Sequence, residues 1–173
     1  MVTVSADICN VNSQKDYDSM LGSLQFHQLK CTCGHSACLS VHGYYHRTVR
    51  TSKGSFRLRI CRVICSECGR THAILPESIV PYDQISLEDQ RVIVIAYENG
   101  TDRNKVCTPE GAIDENDVKA VILRYRRRWR QMLLAGSIRL SDRIRLVRRC
   151  FAHYSMQFMQ IRQTPNTLFA ATT

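Results

Sequence analysis

The sequence predicts an α+β fold: a small β-hairpin or three-stranded sheet fixed by cysteines, followed by an α-helical region and a C-terminal helix. Three observations carry that expectation. Two strand-like runs, residues 41–50 and 56–64, flank the turn sequence TSKGS; cysteines followed by glycine stand at both ends of that hairpin; and from Ser86 onward apolar residues recur at helical spacing.

The composition bounds the rest. A chain of 173 residues, 44% hydrophobic and 23% charged, has room for one core or two small units and is too apolar to be wholly disordered. No run approaches the roughly 20 apolar residues that span a bilayer, and the first twenty residues lack the basic-then-apolar order of a signal peptide. These features give the expectation of a soluble cytoplasmic protein with no membrane partner. Nine cysteines cannot all pair within one chain, and a reducing compartment leaves them as thiols, so metal binding is the chemistry they favour.

The elements are justified in chain order. Residues 1–28 are weakly patterned, with one short helix around 14–24. In the hairpin, Phe56, Leu58 and Ile60 alternate with Arg57, Arg59 and Cys61, a period of two that sends one set to a core face. Residues 71–75 suit a third strand, after which Pro76 and Pro81 bracket a connector that leaves the sheet. Ser86 caps a helix with Glu88 and Asp89 in its first turn, and Asn99-Gly100 stops it, although its interior VIVIA also suits a buried strand. Asp114 caps the next helix, whose apolar stripe is Val118, Val121, Ile122, Tyr125, Trp129 and Met132. After Gly136, Ser141 starts another. Its Ile144, Val147, Phe151, Tyr154, Phe158 and Ile161 step as a heptad seam, read either as packing within the protein or as pairing with a second chain. The resulting segments are 1–28, a ribbon over 29–80, a helical region over 81–135 and a C-terminal helix and tail over 136–173.

The cysteines sort by spacing. Cys65-Ser66-Glu67-Cys68-Gly69 brings two thiolates to one side of a tight turn, and the glycine permits the left-handed residue that closes it. Cys31-Thr32-Cys33-Gly34 is less regular, with one intervening residue where a knuckle normally has two. A hairpin between two such turns sets them side by side, the geometry of a zinc ribbon. Cys33, Cys65 and Cys68 are read as Zn2+ ligands, Cys31 as the fourth, with Cys38 or His42 as alternatives for that last place. Cys61, Cys9, Cys107 and Cys150 are read as small buried hydrophobes. A redox dithiol at Cys65 and Cys68 is disfavoured because the pair lies between two strands rather than at the start of a helix.

The charge sits in one place. From Lys119 to Arg149 the chain holds that lysine and ten arginines against the single acid Asp142, so the remainder is close to neutral within a total of +9. Such a concentration attracts a polyanion, and arginine favours bidentate contacts with phosphate and guanine.

The combination of CTCG, VHGYYHRTVRT, RLRICRVICSECGRTHAILPESIVPY and a helical region ending in RYRRRWR resembles a bacterial family of uncharacterised, transposase-related proteins. Members of that family look like the DNA-binding front end of insertion-sequence transposases, a zinc ribbon followed by a helix-turn-helix region. The sequence departs from the family at Lys30, where the first knuckle cysteine would stand. The resemblance implies a non-catalytic, zinc-dependent, nucleoid-associated protein that binds double-stranded DNA, alone, as a homodimer or with a separately encoded transposase subunit. No nuclease activity is expected, because after Thr108 the acids are only Glu110, Asp114, Glu115, Asp117 and Asp142. In this reading the helix after Asp114 is the recognition element, with Arg124, Arg127 and Arg128 on bases and Arg126 and Arg130 on phosphates. Two alternatives stand beside it: RNA binding, with Tyr44, Tyr45 and Phe56 as stacking residues, and an adaptor that pairs through the C-terminal seam.

Overall fold

The computed structural model of the protein describes residues 1–5, 11–101, 111–163 and 168–171. The fold is α+β, and the chain divides into two compact units: residues 1–48, 57–78 and 163–173 form the first, and residues 49–56 and 79–162 the second. Among the described residues the strands are β1 (Val2–Ser5), β2 (Leu39–Thr51), β3 (Gly54–Cys65), β4 (Thr71–Pro76) and β5 (Leu168–Ala171), ordered β2-β3-β4-β1-β5 in one sheet. The helices are α1 (Gln14–Ser23), α2 (Leu87–Glu98), α3 (Glu115–Arg124), α4 (Arg130–Ala135) and α5 (Arg143–Tyr154).

The sheet is larger than the expected three-stranded ribbon. The β2–β3 hairpin and β4 are where the alternation places them, with β3 antiparallel to β4 through Arg62↔Ala73, Val63↔His72 and Ile64↔Thr71. Two strands are added from the ends of the sequence. β1 runs parallel to β4 on one side (Val2↔Ile74) and to β5 on the other (Val2↔Leu168). All four residues of β1 are buried. A strand flanked on both sides by parallel neighbours loses the polar alternation of a half-exposed one, and VTVS carries little pattern to read.

α1 is joined to this sheet by one hydroxyl. Past the Arg62↔Ala73 pair the β3–β4 ladder opens, and Tyr17 enters the gap: its Oη accepts from the Cys61 amide at 2.9 Å and donates to the Ile74 carbonyl at 2.9 Å. Tyr17 is fully buried, and that burial pushes its phenol well above the ordinary tyrosine range. Beside it, Gln14 accepts from the Arg59 amide through Oε1 at 2.7 Å. Cys61, beneath this contact, is buried as a small apolar residue.

The second unit is helical and closes on its own apolar cluster, including Ile93, Val94, Val118, Val121, Ile122, Tyr125, Trp129, Leu133, Leu146, Cys150 and Phe158. Ser86 caps α2 by accepting from the Asp89 amide. Asp114 and Asp117 form a reciprocal capping box on α3. Between α3 and α4 the helix continues through a π-helical turn, Tyr125–Trp129, in which the Arg130 amide donates to the Tyr125 carbonyl. That wider turn moves the stripe by one residue. The buried position after Trp129 is therefore Leu133, while the expected Met132 only packs at the cluster's margin.

The C-terminal seam is corrected in the same way. α5 is capped by Asp142 rather than opened at Ser141, and it stops at Tyr154 because Ser155 turns left-handed at φ 52°. Val147 and Phe151 are buried from the helix, but Phe158 is buried beyond its end and meets Trp129 edge-on, with ring centroids 5.4 Å apart. Ile161 is exposed. The helical seam therefore ends at Tyr154, and its buried members are used within the unit. Cys150 is buried as expected, whereas Cys9 and Cys107 lie outside the described residues.

Removing the Tyr17 hydroxyl tests the ladder insertion. Tyr17→Phe leaves the Cys61 amide and the Ile74 carbonyl unpaired in a dry place, a loss of about 1–3 kcal/mol. Chemical denaturation followed by circular dichroism should show a lowered midpoint with an unchanged slope.

Candidate metal centre

The first unit carries four sulfur atoms in one place. The ligand atoms of Cys31, Cys33, Cys65 and Cys68 all lie within 4.8 Å of one another. Cys31 Sγ is 3.6 Å from Cys68 Sγ, and Cys33 Sγ is 3.7 Å from Cys65 Sγ. A disulfide would bring two sulfurs to about 2.05 Å, and none of the four cysteines is in one. A metal bonded to sulfur at about 2.3 Å in a tetrahedron sets its ligands about 3.8 Å apart, the edge of that tetrahedron. The two separations fit this edge.

Each half of the quartet is made by a local turn. In the first, the Gly34 amide donates to the Cys31 carbonyl at 2.9 Å, and the Cys31 amide donates to the His35 carbonyl at 2.9 Å. In the second, the Gly69 amide donates to the Cys65 carbonyl at 3.0 Å, and the Cys65 amide donates to the Arg70 carbonyl at 3.0 Å. Gly34 and Gly69 adopt φ of 94° and 68°, the region that only glycine enters without strain. The one-residue gap between Cys31 and Cys33 thus closes a turn equivalent in its hydrogen bonds to the two-residue gap of the second. The hairpin brings the halves together: Cys65 ends β3, and the Ser66 amide donates to the Cys38 carbonyl at 2.8 Å just before β2.

Cys31 therefore completes the sulfur quartet, and neither alternative does. Cys38 is buried but donates to the His35 carbonyl at 3.2 Å, and burial pushes its thiol up to about 11. His42 lies exposed on β2. A residue the sequence left aside also touches the quartet: buried His72, on β4, has its Nε2 3.3 Å from Cys31 Sγ. The Met1 amino group lies 3.4 Å from His72 Nδ1, on the side of the ring away from the sulfur. Pairing of His72 with Val63 across the sheet fixes this orientation. The sequence signal for it was only a histidine four residues after Cys68.

The thiols are not equivalent. Burial resists ionisation of Cys65, but the Cys68 and Glu67 amides and the neighbouring thiols donate to it and bring it down to about 6. Burial likewise opposes ionisation of Cys31, which the Cys33 amide and His72 overcome, bringing it down to about 7. The Arg70 amide favours ionised Cys68, yet burial and the surrounding sulfurs outweigh it and push the thiol up to about 12. In the metal-free quartet Cys65 and Cys31 are therefore the thiols that ionise first, while Cys33 and Cys68 hold their protons more firmly.

The predicted nucleic-acid contacts lie in the second unit, and most are occupied. Arg124 pairs with the nearly buried carboxylate of Asp83 and donates to Gln90 Oε1 at 3.1 Å and to the Met159 carbonyl at 3.4 Å. Arg128 donates to the Ile161 carbonyl at 3.4 Å and contacts Met156 Sδ at 3.2 Å. Arg130 pairs with Glu98 at 3.1 Å while remaining half exposed. Arg126 and Arg127 are exposed, with no ion pair among the described residues. Arg124 and Arg128, expected on bases, thus both have partners within the unit, and their guanidinium groups tie its own segments together.

The geometry of the quartet fixes what each substitution should do. Serine at Cys31, Cys33, Cys65 or Cys68 should abolish stoichiometric metal and unfold the ribbon, while Cys38→Ser keeps the metal; His72→Phe should keep it with roughly 10- to 100-fold weaker affinity. Elemental analysis and chelator competition read both. The acidity of the thiols sets a second expectation. Well above pH 7, loading displaces protons chiefly from Cys33 and Cys68, so affinity rises with pH; as pH falls through about 7 and then about 6, Cys31 and then Cys65 also bind protons and the dependence steepens toward four. Chelator competition between about pH 5 and pH 8 should show that steepening on the acid side.

Residues 31–111 match the model of a domain of unknown function, DUF6431. The match opens on Cys31 and takes in all four sulfurs, the hairpin, β4 and α2. The chain matches no curated protein and no solved structure.

Proposed function

We propose that this chain is a non-catalytic, zinc-dependent DNA-binding protein whose helical unit meets the phosphate backbone of a duplex. The observation that carries the reading is the concentration of charge between Lys119 and Arg149, together with the exposure of Arg126 and Arg127 on one helix. Zinc is the metal supported by the chemistry of the donors, since four thiolates at tetrahedral spacing suit it. The segment α2 through α4 is read as a helix-turn-helix-like element, and the ribbon-then-helices order supports association with a transposase, as the resemblance implies. The acids support a non-catalytic role: Asp114 and Asp142 cap helices, Asp117 closes the capping box and pairs with Arg50, and Glu115 pairs with Lys119. Glu110 lies outside the described residues.

The occupied arginines change which residues meet the ligand. Arg126 and Arg127 become the principal phosphate contacts, and Arg130 joins them by exchanging a half-exposed pair with Glu98 that contributes at most about 1 kcal/mol. Arg124 instead positions the helix.

Each phosphate neutralised on a duplex contributes about −0.9 to the slope of log affinity against log salt. Arg126→Ala with Arg127→Ala should therefore flatten that slope by nearly two units for any duplex sequence, with zinc content and melting temperature unchanged. An unaltered slope would make these arginines a solvated face. Arg124→Ala should instead lower the melting temperature, because it leaves the Asp83 carboxylate buried without its partner.

A further inference from the structure

The β2–β3 hairpin has a composition that the metal centre does not require. From Leu39 to Cys65 it contains Arg47, Arg50, Lys53, Arg57, Arg59 and Arg62 and no aspartate or glutamate. Not all of that charge is free. Arg50 pairs with Asp117 and donates through Nε to the Ala112 carbonyl at 2.7 Å. Arg62 donates to the Thr71 hydroxyl at 3.0 Å, which leaves Arg57 and Arg59 as the exposed arginines next to the β2 row. Along β2, His42, Tyr44 and His46 occupy alternate positions and are all exposed. Along β3, Arg57 and Arg59 alternate with buried Leu58 and Ile60. The Arg59 guanidinium lies over the Tyr44 ring, 4.4 Å from its centroid, which puts the two exposed rows on the same face.

We infer that this face is a second nucleic-acid surface, a stacking platform for unpaired bases centred on Tyr44, with Arg57 and Arg59 holding the adjoining phosphates. The inference rests on the nucleic-acid reading above and adds to it a strand-separated form of the ligand. A tyrosine 49% exposed leaves apolar ring surface in water, and no carboxylate on the hairpin competes for the guanidinium that covers it. An aromatic ring flanked by cations on a sheet surface takes unpaired bases, because every base offers a π-face and every nucleotide a charge. Stacked bases inside a duplex offer that ring nothing. Charge complementarity and the ring together therefore select a single strand over a duplex.

The test uses the zinc-loaded full chain and three labelled probes of about 15 units, oligo-dT, oligo-U and a mixed-sequence duplex, within the length range that sheet platforms cover. Tyr44→Ala should weaken single-strand binding by about 5- to 100-fold with the salt slope unaltered, and Tyr44→Phe, which keeps the ring, should bind as the parent does. Arg57→Ala with Arg59→Ala should flatten the single-strand salt slope by about 1.4 units. Loss on oligo-dT alone, on oligo-U alone or on both supports the platform and states whether it prefers DNA or RNA. Unchanged affinity of Tyr44→Ala for both single strands overturns it, as does an equal loss on the duplex. The duplex slope of the Arg126 and Arg127 variant is read separately, so either surface can fail without the other.

Discussion

Four sulfurs within 4.8 Å of one another cannot all be ionised without a cation among them. Two unit charges about 3.6 Å apart repel by roughly 4–5 kcal/mol even at an effective dielectric constant of 20, and a quartet has six such pairs. Either protons or a metal must neutralise the cluster, and the rest of the first unit is arranged to hold it together regardless. The two knuckles are separated in sequence by the whole length of the hairpin, so closing the quartet closes a loop from Cys31 to Cys68. A metal that ties such a loop removes chain entropy from the unfolded state, which a two-stranded hairpin alone offsets poorly. The mixed sheet adds to this: β4 leaves the second knuckle, pairs with β3 and delivers His72 to the Cys31 sulfur.

The knuckles, the hairpin and the capped starts of α2 and α3 were legible because each is written locally. Cysteine-glycine turns, alternation and Ser or Asp caps depend on residues a few positions apart. What could not be read was nonlocal. β1 and β5 are four-residue strands whose partners lie about seventy or more positions away, and Tyr17 looks like an ordinary apolar position of α1 until its hydroxyl is seen between β3 and β4. The π turn at Tyr125–Trp129 likewise has no local signal. It moves the buried position of the stripe from Met132 to Leu133 and so alters which side chains face out.

Charge was the property most easily misjudged from sequence. Counting arginines treats each as a free cation, but a guanidinium near a core is used to satisfy carbonyls and carboxylates. Arg50 locks the hairpin's turn end to the start of α3, Arg124 bridges Asp83 and Gln90, and Arg149 donates to the Gly136 carbonyl at 3.2 Å. These contacts are long-range and invisible in composition. They convert part of a basic stretch into the framework of the helical unit.

The charge that survives this subtraction is chemically divided. On the composite helix the free groups are guanidinium ions with no aromatic ring exposed among them, because Tyr125 and Trp129 are both turned into the core. On the hairpin they flank an exposed ring. A guanidinium alone recognises phosphate, which every nucleic acid carries, whereas a ring recognises a base only where that base is unpaired. In the proposed reading the two elements thus answer to different states of the same polymer.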